Sequence, residues 1–416
     1  VAGFITENLG DYPHKKVLLT KIDYKKNPIY GLNLLPDFVR PFSDTFQYEL
    51  KILKTTLLNY LENTVLINPR EDQWIIDGIQ TYYLMKYVEE NYPDMKILGN
   101  LANIWGVRAF HAADLKFNDQ YNFLYMHMAR SNIDQPLNMP KDSLLKFNKN
   151  IANKYKAGVG LNYLDQYMEN NAMDVMLTQF LKENKLKTTN SEAFKNYITE
   201  KTDKNIDWFF EDYVGSSMKI DFKIKKVEKT EDSLTITIKN KKDHLLPVSL
   251  FTIKDDSVLS KQWIEGFKGY KKITIANNDA DKLALNYDTT IPEMNLRNNW
   301  KSLGGFLSNN KPLQFRLFKD IEDPNYSQVF FMPEFAYNFY DGFSPGIKLY
   351  NKTILTKNFL YRISPKYAIK SKQLVGSASI SFADRKENSR NFYTKYGIGG
   401  EYYNYAPNLS YTSYTP

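Results

Sequence analysis

The chain has no cysteine and only 4 histidines among its 416 residues. The first absence excludes disulfides and every thiolate chemistry, and it leaves the cellular compartment open. The second is sharper. The histidines are His14, His111, His127 and His244, and no two of them stand four apart. One helix face presents two imidazoles to a zinc ion at that spacing, so the helical His-x-x-x-His zinc motif is missing from the whole chain. No apolar run is long enough for a membrane-crossing helix. There is no Gly-rich phosphate loop, no Gly-x-Ser-x-Gly elbow and no Cys/His pair, so those reaction classes have no footing. No leader segment and no initiator Met open the sequence, and Val1-Ala2-Gly3-Phe4-Ile5 reads as the inside of a domain. A piece of a longer protein, truncated at both ends, is the expectation.

What is present is globular in character. Hydrophobic residues make up 43% and charged residues 25%, and 416 residues exceed one ordinary core, so two or three domains are expected. Lys+Arg exceed Asp+Glu by 55 − 47 = 8, and the excess is spread out. No compact basic cluster with interleaved aromatics occurs, and nucleic acid is not an expected partner. Aromatics are plentiful, with Tyr 31 and Phe 26, and they thicken toward the C-terminus.

Three regions succeed one another. Val17 to Asp23 reads as a strand, with turns at Asn27-Pro28, Gly31 and Pro36. From about residue 45 to 215 the apolar period is helical: Leu50, Leu53, Leu57, Leu58 and Leu61 fall on one face, as do Ile79, Tyr82, Tyr83 and Tyr87. Further helices are expected around 117–131, 142–170, 172–182 and 190–213. From about 218 to 290 the period becomes two, as in Ile220/Phe222/Ile224 and Leu234/Ile236/Ile238, which suits a small β-sandwich. From about 312 onward, long aromatic segments alternate and are joined by polar turns. Ser377, Ser379 and Ser381 share one face there, and Ala378, Ile380 and Phe382 the other. A β-barrel wall with a wet lumen and a lipid face has that pattern, and a single-sided soluble sheet shares it.

The stretch Trp74-Ile75-Ile76-Asp77-Gly78-Ile79-Gln80-Thr81-Tyr82-Tyr83 resembles the Trp-Leu-x-Glu-Gly-x-x-x-Tyr helix of the membrane-alanyl-aminopeptidase family of zinc metallopeptidases, the gluzincins. In that family the Glu is the third zinc ligand, and a His-Glu-x-x-His helix upstream supplies the others. Counting back from Asp77 by the family's spacing puts Lys54 and Leu58 at the histidine positions and Thr55 at the general base. Tyr155-Lys156-Ala157-Gly158 is similar to the family's Tyr-x-Lys-Gly entry, which makes Tyr155 the candidate for the oxyanion-stabilising tyrosine. Gly31-Leu32-Asn33 lies where the family has its Gly-x-Met-Glu-Asn substrate loop, with Asn33 in place of an amine-binding Glu. Asp207-Trp208-Phe209-Phe210-Glu211-Asp212-Tyr213 looks like the closing aromatic helix before the family's β-sandwich.

Residue by residue, a packing or capping role stands beside each functional one. Asp77 is a metal ligand or a capping carboxylate; Tyr155 is an oxyanion donor or a core tyrosine; His111 and His127 line the old cleft or are hydrogen-bonded structural residues. The resemblance implies an α+β multidomain chain. Residues 1–216 form a thermolysin-like, mainly helical peptidase domain, 217–300 a β-sandwich, and 301–416 antiparallel strands that start an outer-membrane barrel continuing past Pro416. The expected function is a binding or scaffold domain with degenerate catalysis, periplasmic and tethered to that barrel. Its partners are a peptide or protein segment in the old cleft and outer-membrane lipid. No metal site and no cofactor are expected. Two alternatives stand beside it: an active zinc aminopeptidase using non-standard ligands such as His111 and His127, and a wholly soluble multi-domain binding protein.

Overall fold

The computed structural model describes residues 1–29, 41–304, 311–386 and 390–416. Gly31, Leu32 and Asn33 lie outside the described residues. The chain is α+β, with helices and several sheets, and it divides into two compact units. The first comprises Val1–Val107, Ala113–Ala129 and Ile133–Asn310; the second comprises Arg108–Ala112, Arg130–Asn132 and Lys311–Pro416.

In the first unit, helices α1 (Ala2–Leu9), α2 (Lys21–Lys26), α3 (Asp44–Thr64) and α4 (Gln73–Asn91) come first. The strand expected over 17–23 is absent. Thr20 instead caps α2: its side chain accepts from the Asp23 amide while Asp23 reaches back to the Thr20 amide. That reciprocal capping box satisfies two free amides and outweighs the β-propensity of Val17, Leu18 and Leu19. Ser43 caps α3 one way only, its side chain accepting from the Phe46 amide at 3.3 Å. Phe46, Leu50, Leu53, Leu57 and Leu61 form the buried stripe of α3. Nearly the whole of α4 from Gln73 to Met85 is buried, as befits a central helix covered on all sides.

Helices α5 (Asp119–Arg130), α6 (Asn153–Met168), α7 (Ala172–Glu183) and α8 (Ser191–Glu200) complete the helical part. The helix expected over 190–213 is broken: α8 stops at Glu200 and a π-helical turn occupies Phe209–Val214. Helices α4 and α6 cross closely. A Cβ added to Gly158 would stand 2.4 Å from the Thr81 Cβ, and one at Gly78 would stand 3.2 Å from the Ala157 Cβ. Only hydrogen fits at Gly158, which lets the two backbones approach.

Two small sheets come next in the same unit. Strands β1 (Phe222–Lys229), β2 (Ser233–Asn240), β3 (Val248–Lys254), β4 (Ser257–Ile264), β5 (Tyr270–Ala276), β6 (Lys282–Leu285) and β7 (Trp300–Ser302) are arranged as β1-β2-β5 and β4-β3-β6-β7. Ile224, Leu234, Ile236 and Ile238 from the first sheet share one buried core with Val248, Leu250, Leu283 and Leu285 from the second. The helical part is fastened to these sheets by Tyr163, whose hydroxyl donates to the Pro247 carbonyl. The buried Lys219 Nζ also meets Asp134 Oδ1 at 2.5 Å.

The second unit is built on one seven-stranded sheet. Strands β8 (Leu313–Leu317), β9 (Ser327–Asn338), β10 (Gly342–Tyr350), β11 (Phe359–Ala368), β12 (Gln373–Arg385), β13 (Tyr393–Ala406) and β14 (Leu409–Thr415) lie in sequential order. The pair β8–β9 is parallel and the rest antiparallel. Among the described residues β8 and β14 are free edges, and the sheet does not close on itself. The register sorts its side chains into two faces. Phe359 pairs with Phe382 and Phe382 with Tyr396; Tyr361 pairs with Ile380 and Ile380 with Ile398, so one face is apolar across three strands. The other face carries Arg362 opposite Ser379 and Ser379 opposite Gly399. There Lys366 Nζ lies 3.0 Å from Glu334 Oε2 and an Arg362 guanidinium nitrogen 3.7 Å from Glu334 Oε1. No helix among the described residues is long and apolar enough to cross a membrane.

Candidate functional site

The residues singled out around Asp77 come together where α3 and α4 pack, and α6 closes the group. Asp77 is buried on the first half of α4, while Lys54 and Thr55 are buried on α3 and Leu58 is half-buried one turn on. None of the three α3 residues offers a metal donor. The Thr55 hydroxyl donates to the Lys51 carbonyl of its own helix at 2.8 Å. Leu58 has only hydrocarbon. Lys54 points its ammonium at the Pro28 carbonyl, 2.9 Å away.

The partner of Asp77 is a lysine that sequence reasoning missed. A π-helical turn at Asn148–Ala152 leads into α6, whose first turn delivers Lys154, with its Nζ 3.4 Å from Asp77 Oδ1. Lys154 Nζ also donates to Asn27 Oδ1 at 3.1 Å. Asn27 Nδ2 reaches Gln80 Oε1 at 3.4 Å, and Gln80 Nε2 donates to the Lys54 carbonyl at 2.7 Å. A polar chain therefore runs Asp77–Lys154–Asn27–Gln80–Lys54 through α4, α6, the segment after α2, and α3.

Its electrostatics oppose a metal ion. Lys54 is pushed down to about 7, first by burial and then by the charge of Lys154, with Asp77 pulling the other way. Lys154 stands beside the Asp77 carboxylate and the charge of Lys54 reaches it as well, so the carboxylate is set among cations. Zinc requires neutral imidazoles, thiolates or carboxylates with free lone pairs. An ammonium and an isobutyl group at the two expected ligand positions do not fit it.

A cleft of about 20 Å³ opens over Asp77, flanked by Arg70, Lys141, Lys149 and Asn153. Arg70 is engaged with Asp142 at 3.1 Å and Glu71 at 3.4 Å. Trp74, also on its wall, donates through Nε1 to the Ser191 hydroxyl at 2.9 Å and sets its ring 5.9 Å from that of Phe194. The Trp of the motif is therefore a packing residue. In the second unit, a roomier hollow of about 550 Å³ lies on the seven-stranded sheet around Ala378, Ile380, Ile398 and Gly400.

The other candidates are not part of the Asp77 group. Tyr155 is buried on α6 with its ring edge-on to Tyr121, centroids 4.8 Å apart. It belongs to a small cluster with Met85, Ile151 and Val159. Its neighbour Lys156 donates to the Ser216 carbonyl at 2.8 Å. Burial pushes that ammonium down to about 8 against the pull of Asp134. His127 is exposed on α5, with its ring 6.1 Å from that of Phe147. His111 belongs to the second unit, where its amide donates to Asp320 Oδ2 at 2.6 Å and its Nδ1 lies 3.4 Å from Asp323 Oδ2. Among the described residues no group of three or more His, Asp or Glu side chains is placed to hold a metal ion.

No protein-family model matches the chain, and no curated protein does. Among solved structures the chain is similar to aminopeptidase A of Legionella pneumophila, crystallised with aspartic acid. The likeness is 11% in identity with a TM-score of 0.42, over 61% of this chain and 28% of that one. The chain thus spans under a third of that protein's length.

Proposed function

We propose that this chain is a peptidase-like binding or scaffold domain that has lost its chemistry and is attached to a β-barrel in a gram-negative outer membrane. The observation that carries the loss of chemistry is the lysine at Asp77: the half-buried Lys154 ammonium stands 3.4 Å from the carboxylate that the gluzincin resemblance makes a zinc ligand. An internal cation takes the role of the metal's charge and supplies no Lewis acid and no activated water. At about 20 Å³ the cleft over Asp77 has room for no more than a water, so a peptide or protein segment lies across its rim and is left intact. Lys141 and Lys149 at its rim suit a segment that bears carboxylates.

The two-faced sheet supports the membrane attachment. Its strands β9 to β13 run from 9 to 14 residues, enough to cross a bilayer when tilted. Aliphatic and small residues (Ile347, Ile363, Ala378, Ile380, Ile398) hold the middle of the apolar face. Tyr361 and Phe331 also stand in those middle rows, and further aromatics sit toward both ends, Tyr337 and Phe343 at one and Phe359, Phe382 and Tyr396 at the other. The seven strands are one arc of the barrel wall, and the peptidase-like part faces the periplasm.

Expression of the full-length protein in a gram-negative host tests both halves. The protein should sediment with outer membrane, require detergent for release, and leave aminoacyl and peptide substrates uncut. Release on lysis without detergent overturns the attachment, and substrate turnover that purifies with the chain overturns the loss of catalysis.

A further inference from the structure

The charged side chains on the strands of the second unit are sorted by face. Strand neighbours alternate between the two faces, and the cross-strand pairings carry each face from β8 to β13. Arg316, Lys348, Arg362, Lys366, Arg385 and Lys395 fall on the face of Ser377, Ser379 and Ser381, and Glu334 and Glu401 fall there too. Among the described strands β8 to β14, Asp384, opposite Thr394 at the end of β12, is the one charged residue on the face of Ile380 and Phe382. The wet face thus carries six cations against two carboxylates. Serines alone or balanced ion pairs would wet that face equally well, so the sign of the charge is what calls for a partner.

Contacts within the face leave most of that charge in place. Glu334 is shared by two cations, Lys366 at 3.0 Å and Arg362 at 3.7 Å, so the group of three keeps a net positive charge. Lys348 Nζ lies 5.7 Å from the centroid of the Tyr350 ring, and the Arg385 guanidinium carbon lies 4.8 Å from that of Tyr393. Both rings stand on the same face, and an aromatic ring orients a cation without neutralising it. Arg316 donates to a neutral carbonyl, that of Ala109 in the same unit, and Lys395 is open to solvent. The rows between are narrow: Ser381 pairs with Gly397 and Ser379 with Gly399, so no bulky side chain of β12 or β13 fills the face there. The serine hydroxyls add neutral donors that an anion can use.

We infer that the wet face of the sheet is an anion path: as the lumen wall of the barrel it admits small anions and turns cations away. Rows of Arg and Lys select anions in a pore because a wall of low dielectric constant concentrates the field of like charges in the water beside them. The inference rests on the barrel reading of the sheet.

The test uses the full-length protein, purified from outer membranes and reconstituted in uncharged phosphatidylcholine/phosphatidylethanolamine membranes. Flotation with vesicles of that composition reports insertion. In planar bilayers under a tenfold potassium chloride gradient, the reversal potential should carry the sign of chloride preference. Lys348→Glu combined with Lys395→Glu leaves four cations against four carboxylates on the face, and should bring the reversal potential close to zero. Potassium preference in the wild type, or insertion without conductance, overturns the anion path and leaves the barrel reading intact. So does a reversal potential that the inserted double variant does not move. If the protein does not float with vesicles, the barrel reading fails and the anion path falls with it.

Discussion

Replacing Lys154 by Met removes the cation that faces Asp77 and keeps most of the side-chain volume. The two side chains are only 16% and 10% exposed, so solvent screens the pair little. Breaking a buried pair from one side costs about 3–5 kcal/mol, because the remaining charge is left without compensation. Lys54 persists nearby and its charge still favours the Asp77 carboxylate, which puts the expectation at the lower end, about 3 kcal/mol. With a urea slope of roughly 3 kcal/mol per molar for a unit of this size, the midpoint falls by about 1 M. Near-ultraviolet circular dichroism of the buried Trp74 and Trp208 reports the unit that contains the pair. The double substitution Lys154→Met with Asp77→Leu should recover most of the loss, since an apolar pair of similar volume replaces a buried ion pair at little cost. A single-mutant effect below about 0.5 kcal/mol, in the range of exposed pairs, would mean that Asp77 has another partner and would refute the reasoning.

Lys54 gives a pH signature. Its ammonium titrates near 7 when folded and near 10.5 when unfolded, so between those values the unfolded chain binds more protons. Burial of the charged form costs stability fully below pH 7, and the cost is relieved as pH rises toward 10.5. Lys54→Met should therefore stabilise the protein at pH 6 and flatten the rise, at most about 1.4 kcal/mol per pH unit, seen in wild-type urea midpoints above pH 7. Gly158→Ala should cost about 1–3 kcal/mol by overpacking against Thr81, whereas Gly3→Ala on α1, where nothing lies within 4 Å, should be neutral or stabilising by thermal melts. On the sheet, Ile380→Lys should lower the recovered outer-membrane fraction, as expected for about 2–4 kcal/mol of lost insertion energy, while the neighbouring Ser381→Lys should leave it unchanged. Equal effects of the two substitutions would remove the distinction between the faces.

Periodicity made much of this fold legible. The stripe from Leu50 to Leu61 is the buried face of α3, and the Ser377/Ser379/Ser381 against Ala378/Ile380/Phe382 alternation is the division between the sheet's two faces. Such patterns are readable because each element repeats its own geometry locally. The strand expected over 17–23 does not form because Thr20 and Asp23, both in the sequence, make a capping box that starts a helix there. The partner of Asp77 was not legible. Lys154 meets it only because Gly78, Ala157 and Gly158 let α4 and α6 cross closely, a tertiary event that no local pattern encodes. A lysine in the first turn of an otherwise buried helix was the available hint. The histidines show the opposite failure, since residue type suggested a cleft while His111 is tied to Asp320 and Asp323 in the second unit.

The central claim is that a lysine, in place of a metal, balances Asp77. Incubating the purified full-length protein with zinc, dialysing it, and counting metal by mass spectrometry tests this directly. The account predicts far less than one zinc per chain, and the same trace for Asp77→Ala. One zinc per chain that disappears in Asp77→Ala would contradict it.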